Sequence, residues 1–236
     1  MKFLLFIVLL WGLSLFAFAA ELPPRIEISY LIKTDLGNGK LNETFEIIQE
    51  SNRYRYSITS DARPSGLLKL IKPGSIVRDS KGTITKLGLL PQRFSDQRSQ
   101  KLPSIAIFDW DNKMLTLQRK GEEEQKSLPV GTQDRLSLPY SFMFSPLNAS
   151  HIDMHETDGH SLTLARYTVN QEILETPLGK LETIVLTKQQ EKDNKVDRKI
   201  WLATAHHMLP VRIIATEKNG LELEQIVTKI SYPYEH

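Results

Sequence analysis

The sequence contains no cysteine among its 236 residues. Disulfides, thiol catalysis and cysteine-ligated zinc are therefore excluded, and packing and hydrogen bonds must stabilise the fold. An excess of one charge is also lacking, because 30 Lys and Arg residues face 28 Asp and Glu residues, for a formal net charge of +2. A nucleic-acid-binding protein usually concentrates basic side chains on one face, so this balance argues against nucleic acid as a partner.

The sequence signatures of common catalytic sites are missing as well. There is no Gly-x-Ser-x-Gly elbow of a serine hydrolase, no phosphate-binding glycine loop, no dinucleotide fingerprint and no His-Glu-x-x-His zinc motif. The sequence therefore predicts no cofactor, and it assigns no catalytic, cofactor-binding or metal-binding residue.

The N-terminus has the pattern of a secretory signal peptide. Lys2 precedes an apolar run from Phe3 to Phe18, which ends in a small-x-small motif. We expect residues 1–19 to be the signal peptide, with cleavage between Ala19 and Ala20, and we expect a periplasmic location. The alternative is an uncleaved membrane anchor, although the run is at the short end of the ~17–25 residues that a spanning helix needs. After cleavage no stable membrane span is expected.

Alternation of apolar and polar residues, which is typical of strands with one buried face, recurs through the rest of the chain. Arg25–Tyr30 and Arg53–Ile58 are clear examples. The best helix candidate, Asp134–Leu138, is short and meets Pro139, which disfavours a longer helix. The pattern predicts that residues 20–236 form one all-β domain. This domain is expected to be a strongly curved antiparallel sheet or open barrel with at most one or two short helices.

Turns and one irregular region complete this prediction. Gly37-Asn38-Gly39 is expected to turn between the first two strands, and Asn219-Gly220 between the last two. A further hairpin is expected between Ser104 and Arg119. The segment Ser60–Pro103 is punctuated by Pro and Gly, and its leucines need burial. We predict that it forms a loop-rich connection or cover over the sheet.

Two groups of histidines are visible candidates for chemistry. His151, His155 and His160 lie among three carboxylates, but the segment lacks a helical pattern and runs into an Asp-Gly turn. It is interpreted as a solvated loop, since ligand spacing without a scaffold is weak evidence for a metal site. His206 and His207 fall where the chain must turn between two predicted strands, and they are interpreted as part of a loop tip.

Carboxylates offer a second kind of candidate. Asp109 and Asp111 flank Trp110. A pair of carboxylates can hydrolyse glycosidic bonds, but in a hairpin turn such residues more often stabilise the backbone. An enzyme acting on envelope polysaccharide through Asp109, Asp111 or Asp134 is therefore kept as an alternative.

Several motifs, taken in order, make the chain similar to DUF3108, a family of exported bacterial proteins of unknown function. The matching pieces are Gly88–Phe94, Phe108–Trp110, Gln133–Ser137, Glu175–Thr183, Ile200–Ala203 and Leu209–Ile213. The resemblance implies a periplasmic, β-rich domain behind a signal peptide, and it brings no catalytic residues. The motif residues, whose role is unknown, are Leu90, Pro91, Phe94, Asp109, Asp134, Pro177, Gly179, Trp201 and Pro210.

The function expected from the sequence is binding. A curved sheet with an apolar inner face could accept an apolar ligand or a partner's chain, so a lipid-like ligand or another envelope protein is the expected partner. The alternatives are the polysaccharide-acting enzyme and a purely structural factor in envelope assembly.

Overall fold

A computed structural model describes most of the chain downstream of the N-terminal segment. The described ranges are 22–51, 53–71, 73–86, 88–145, 147–189, 198–216 and 220–233. The predicted signal peptide and its cleavage site at Ala19 and Ala20 lie outside the described residues. Asn219 also lies outside them.

The described residues form fifteen strands and two short helices. The strands are β1 (Arg25–Thr34), β2 (Gly37–Glu50), β3 (Arg53–Pro64), β4 (Ile76–Thr85), β5 (Gly88–Arg98), β6 (Ser104–Asp109), β7 (Met114–Arg119), β8 (Glu122–Ser127), β9 (Gln133–Asp134), β10 (His151–Thr157), β11 (Leu162–Thr176), β12 (Gly179–Lys188), β13 (Arg198–Ala203), β14 (Leu209–Thr216) and β15 (Glu222–Ser231). The helices are α1 (Gly66–Ile71) and α2 (Ser137–Ser141). The predicted all-β class with at most two short helices is confirmed.

All fifteen strands belong to one sheet, in the order β8-β7-β6-β5-β4-β3-β2-β1-β15-β14-β13-β12-β11-β10-β9. The chain forms a meander from β1 out to β8, begins the other edge at β9 and β10, and returns to pair β15 with β1. Neighbouring strands are antiparallel except β9 and β10, which run parallel. Short antiparallel connections of this kind need no crossover helix, which explains how little helix the fold contains.

The sheet curls around a segment of its own chain. This segment, Leu128–Phe144, connects β8 to β10 and is called the plug below. Tyr140 of the plug stacks on Phe45 of β2 with ring centroids 5.5 Å apart. On the other side, Leu138 and Phe142 share a buried cluster with residues of β11 to β14. The plug therefore contacts both halves of the sheet and occupies its concave face.

The segment Ser60–Pro103 is neither a loop-rich connection nor a cover, and that prediction was wrong. It contributes the end of β3, the short helix α1 and the full-length strands β4 and β5. Gly82 and Pro91 pair at a β-bulge, where the register shifts after Lys81. A Cβ at Gly82 would lie 2.2 Å from the Leu90 carbonyl oxygen, so the bulge requires glycine.

The first hairpin turns earlier than predicted. Asp35 and Leu36 form the turn, and Gly37-Asn38-Gly39 already belongs to β2, with Gly39 paired to Ile32. Gly39 is needed for packing, since a Cβ there would lie 2.9 Å from the carbonyl oxygen of Arg63. The predicted hairpin between Ser104 and Arg119 is confirmed as β6 and β7. Strands β14 and β15 also pair as an antiparallel hairpin, as expected around Gly220.

Candidate functional site

The most unusual feature of the interior is a set of buried carboxylates that hold the plug to the sheet. Asp134 is 0% exposed. Its Oδ1 accepts hydrogen bonds from the backbone N–H groups of Leu136 (2.9 Å) and Ser137 (2.8 Å). Its Oδ2 accepts one from Ser80 Oγ of β4 at 2.6 Å, and the Tyr56 hydroxyl lies 3.1 Å from the same Ser80 oxygen. Asp134 thus joins the turn before α2 to strands β3 and β4 of the sheet.

Burial dominates the electrostatics of Asp134. It raises the pKa of this carboxyl to about 6, although the hydrogen bonds from Ser80, Ser137 and Leu136 pull the pKa down. Desolvation disfavours the charged form, whereas donors directed at a carboxylate favour it. The net upward shift means that the folded protein holds a proton on Asp134 more tightly than the unfolded chain does.

A second carboxylate, Glu43, connects the plug to β2. Its Oε2 accepts a hydrogen bond of 2.6 Å from the Tyr140 hydroxyl, and its Oε1 accepts one of 3.1 Å from Ser60 Oγ. Burial raises the pKa of Glu43, and the bonds from Tyr140 and Ser60 partly offset this. Beside it, the Tyr30 hydroxyl donates to the Pro210 carbonyl at 2.7 Å. Pro210 therefore provides a buried acceptor to the same interior network.

The third anchor is an ion-paired cluster on the second half of the sheet. The Oε1 atom of Glu156 in β10 lies 2.5 Å from Lys188 Nζ, and its Oε2 atom lies 3.5 Å from Arg198 Nη1. All three side chains are at most 12% exposed. Burial opposes ionisation of Glu156, but Arg198 and Lys188 outweigh it and lower its pKa. Arg198 also donates to the carbonyl of Arg135 at 3.1 Å. This cluster ties the plug to β10, β12 and β13.

These clusters are suited to holding the plug in place. Asp134, Ser80 and Ser137 are all 0% exposed, so a substrate has no access to the carboxylate or the hydroxyls in this conformation. Asp109, by contrast, is exposed on the β6–β7 turn, so it and Asp134 do not face a common cleft.

Among the described residues, no group of three or more His, Cys, Asp or Glu side chains converges as a metal site would. Within the same part of the chain, no helix is long and apolar enough to cross a membrane.

Asp109 stabilises its own turn. Its Oδ1 accepts a bond of 3.0 Å from the Asn112 backbone N–H, and its Oδ2 accepts one of 2.8 Å from the Asn112 side chain. The Asn112 side-chain bond and then its backbone bond lower the pKa of Asp109. This geometry agrees with the turn-stabilising interpretation and supplies no partner for glycosidase chemistry.

The motif around Leu90 and Pro91 is used in packing. The indole N–H of Trp110 donates to the Pro91 carbonyl at 2.6 Å. Its ring stacks on Phe108 with centroids 6.0 Å apart, and Phe94 is 0% exposed. Leu90 is half-buried in the same strand. These residues hold β5 to the β6–β7 hairpin.

Trp201 points to the opposite face of β13 from Ile200 and Leu202. Those two residues cluster with Leu138 and Phe142, whereas Trp201 belongs to the main core cluster, which contains Tyr140. It is only 2% exposed. Lys199 Nζ lies 4.5 Å and Arg212 Cζ 4.7 Å from its ring centroid, as in cation–π contacts. Trp201 is thus covered by two cationic side chains.

One motif lies on the surface instead. Pro177 and Leu178 form the turn between β11 and β12, and Gly179 follows with φ +105°, a conformation that favours glycine. Thr176 Oγ1 donates to the Gly179 carbonyl at 2.9 Å. Leu178 is 39% and Ile173 67% exposed. We call Ile173–Gly179 the hairpin tip. Local turn geometry explains the glycine but not the exposed apolar side chains.

The predicted loop at His151–His160 is a strand over its first seven residues, so that interpretation was wrong. His151 and His155 lie in β10, while His160 sits in the following turn with its Nε2 3.1 Å from Ser104 Oγ. The turn predicted at His206–His207 is confirmed, with His207 in the left-handed region at φ +51°.

A shallow cleft of about 360 Å³ opens on the convex side of β2 and β3. Its lining residues are Lys40, Asn42, Asp61, Arg63, Pro64 and Ser65. Arg63 Nη2 lies 2.6 Å from Asp61 Oδ2, so the main cation of the cleft is already paired. The cleft is polar and does not resemble the apolar inner surface that the sequence predicted as a binding site.

Sequence reasoning missed Glu43 and Tyr140. A signal for Glu43 was present, because strand alternation places it on the same face as Leu41 and Phe45, both of which are buried. A carboxylate within an apolar face predicts a buried partner. Its partner, Tyr140, lies 97 residues away, and strand periodicity does not reveal which distant residue it meets.

These features define a class: a β-barrel-like protein whose curved sheet is filled by its own chain. The family model described as "Protein of unknown function (DUF3108)" matches residues 25–225, and the chain belongs to this family. No curated protein matches the sequence. Among solved structures, the chain is similar to a β-barrel-like protein of the domain of unknown function DUF1849 from Brucella abortus, with 9% identity and a TM-score of 0.53, covering 91% of this chain and 100% of that one. A DUF1329 family protein from Desulfovibrio piger matches with 8% identity and a TM-score of 0.28, covering 92% and 88%.

Proposed function

We propose that this is an exported periplasmic protein without enzymatic activity, which binds another envelope protein through the outer surface of its curved sheet. The observation that carries the proposal is the plug. Leu138, Tyr140 and Phe142 fill the concave face where a curved β-sheet would otherwise hold an apolar ligand. Because this face is filled, we expect the partner protein to bind the outer surface of the sheet.

The anchors of the plug support this proposal. An apolar ligand entering the concave face would have to displace Tyr140 from Glu43 and the Asp134 turn from Ser80. Each displaced buried donor or acceptor would cost about 1–3 kcal/mol unless the ligand replaced its hydrogen bond. An apolar ligand has no groups with which to replace these bonds.

The hairpin tip is the outer feature best suited to a protein partner. Leu174 is buried in the main core, while Ile173 and Leu178 are exposed beside it. A rigid hairpin that presents apolar side chains can bind a partner at a low cost in conformational entropy. The N-terminal signal pattern supports export, so the partner is expected in the cell envelope.

The proposal is tested by photo-crosslinking in cells. The full chain, with its own leader, carries a photoreactive amino acid at Leu178, or at Gln125 on the exposed strand β8 as the matched control. We expect one reproducible envelope protein to be crosslinked from position 178 and not from 125, and the crosslink to weaken at least about tenfold with Ile173→Asp.

Three results would count against the proposal. Equal crosslinking from both positions would refute the role of the hairpin tip. Recovery of the chain in the cytoplasm with an intact N-terminus would refute export. A lipid that co-purifies with the chain at about one molecule per protein, detected by native mass spectrometry, would instead favour a carrier in which the plug moves.

A further inference from the structure

The two edges of the sheet are protected differently. At one edge, β8 carries Glu122, Glu123 and Glu124, all exposed, and charged side chains of this kind discourage pairing with another chain. At the other edge, β9 pairs with β10 at Glu156 and Thr157. The preceding residues 151–155 contain no lysine or proline and pair with β11 in regular register.

The hydrogen bonds around β10 show which backbone groups face this edge. The Val169 N–H of β11 donates to the Ser150 carbonyl, so Ser150 faces β11. The Arg135 N–H of the plug donates to the Thr157 carbonyl, so Thr157 faces the other way. Because orientation alternates along an antiparallel strand, His151 and Asp153 direct both N–H and C=O away from β11.

His151 and Asp153 therefore carry an open hydrogen-bonding edge. Among the described residues, no hydrogen bond reaches the backbone N–H or C=O of either one on that side. Ile152, which lies between them, is partly buried and packs against the cluster that includes Leu138 and Phe142. The edge thus combines free backbone groups with an apolar side chain at the border of the core.

A second copy of β10 is complementary to this edge. If two copies pair in antiparallel fashion around a two-fold axis at Ile152, His151 of each copy lies opposite Asp153 of the other. Each such pair can form two N–H···O bonds. These bonds use the backbone N–H and C=O groups of His151 and Asp153 that are open in the monomer. The facing side chains are an imidazole and a carboxylate, which attract each other when the histidine is charged. Ile152 meets its own counterpart on the inner side.

We propose that the protein forms a two-fold homodimer by antiparallel pairing of β10 with β10 of a second copy, centred on Ile152. This interface is separate from the hairpin tip and does not rest on the proposed function. A two-fold pairing is closed, because the same edge is used on both copies, so it does not propagate into fibres. The contact is short, and interfaces of that size are weak, so we expect a dissociation constant on the order of 10–100 µM.

Proline at Asp153 is a selective test, because its backbone N–H points to the open edge and not to β11. Asp153→Pro removes this N–H and leaves the β10–β11 ladder intact, as proline is tolerated where an edge strand faces outward. Sedimentation velocity is measured on the exported, purified chain between about 1 and 300 µM. We expect the wild-type protein to shift from monomer to dimer over this range and the variant to associate at least about tenfold more weakly.

Glu123→Pro on β8 is the matched control. The Leu128 N–H donates to the carbonyl of Lys113, the residue before β7, so by alternation along β8 the Glu123 N–H also points to an open edge. This variant should dimerise like the wild type. A wild-type protein that remains monomeric at 300 µM would overturn the proposal, and so would an Asp153→Pro variant that dimerises normally.

A second measurement covers the case in which the proline variant unfolds. In the wild-type protein, the Asp153 amide should exchange with deuterium several-fold more slowly at high than at low protein concentration. Gln125, on the acidic edge, should not change. An Asp153 amide whose exchange rate is independent of concentration would refute the proposed pairing.

Discussion

Replacing Asp134 by asparagine should stabilise the protein at neutral pH and have little effect at acidic pH. Asp134 is completely buried, and its pKa is raised from 3.8 to about 6. A carboxyl group whose pKa is raised on folding stabilises the native state when protonated. That contribution is fully present below pH 3.8 and is lost as the pH rises through 6.

The size of the effect follows from the shift in pKa. A rise from 3.8 to about 6 corresponds to about 3 kcal/mol between the fully protonated and fully ionised limits. About 2 kcal/mol of this falls between pH 4.5 and 7.5, where the protein can be studied without strong acid. Asparagine does not ionise. Its side-chain oxygen can still accept from Leu136 and Ser137, and its amide can donate to Ser80 Oγ.

The assay is urea unfolding followed by tryptophan fluorescence at several pH values between 4.5 and 7.5. The quantity compared is the free energy of unfolding of Asp134→Asn minus that of the wild type, because other carboxyls also titrate. Glu43 shifts in the same direction as Asp134, while Glu156 and Asp158 shift in the opposite direction. The difference should increase by about 2 kcal/mol from pH 4.5 to 7.5.

Asp109→Asn is the control for this series, since Asp109 is exposed and its pKa is lowered. It should give no gain in stability at neutral pH. If the difference between Asp134→Asn and the wild type stays constant with pH, burial does not raise the pKa of Asp134, and the reasoning is refuted.

Two further substitutions test the other anchors of the plug by the same urea assay. Tyr140→Phe leaves Glu43 Oε2 without its donor and should lower the free energy of unfolding by about 1–3 kcal/mol. Glu156→Gln leaves Lys188 and Arg198 buried without their counter-charge and should cost about 3 kcal/mol or more. The pKa of Glu156 is lowered, so its contribution is lost as the pH falls, and the effect of Glu156→Gln should shrink in acid.

Each of these substitutions has a matched control on the surface. Tyr54→Phe removes a hydroxyl from a half-exposed ring. Glu175→Gln breaks an ion pair with Lys180 in which both side chains are more than 70% exposed. Both controls should change stability by less than about 0.5–1 kcal/mol. If the control variants lost as much free energy of unfolding as Tyr140→Phe and Glu156→Gln, the buried clusters would contribute no more to stability than surface groups do.

The fold class could be predicted from the sequence because each strand carries its own period of two. The alternation in Arg25–Tyr30 predicts a strand with one buried face, and Ile26, Ile28 and Tyr30 are buried. Gly and Pro were less informative. In Ser60–Pro103 they indicated loops, yet Gly82 and Pro91 sit within a continuous sheet, at a bulge that exists because two strands approach closely.

The candidate site was only partly predictable. Asp134 was identified as a motif residue and as the first residue of the helix candidate, and in the structure its carboxylate accepts from the N–H groups of Leu136 and Ser137 at the start of α2. Its contact with Ser80 crosses 54 residues of sequence, and that of Glu43 with Tyr140 crosses 97. Such pairs depend on how the sheet curls, and local residue patterns carry no information about the curl.

The absence of disulfides, the β-strand period and the family resemblance follow from the amino-acid sequence alone, because these are properties of composition and of neighbouring residues. What occupies the concave face depends on the tertiary structure. The apolar inner surface that was predicted to bind a ligand is covered by Leu138, Tyr140 and Phe142 of the same chain. Whether an apolar face is filled from within or left for a partner depends on where a distant segment packs. Strand alternation describes the face and not what covers it.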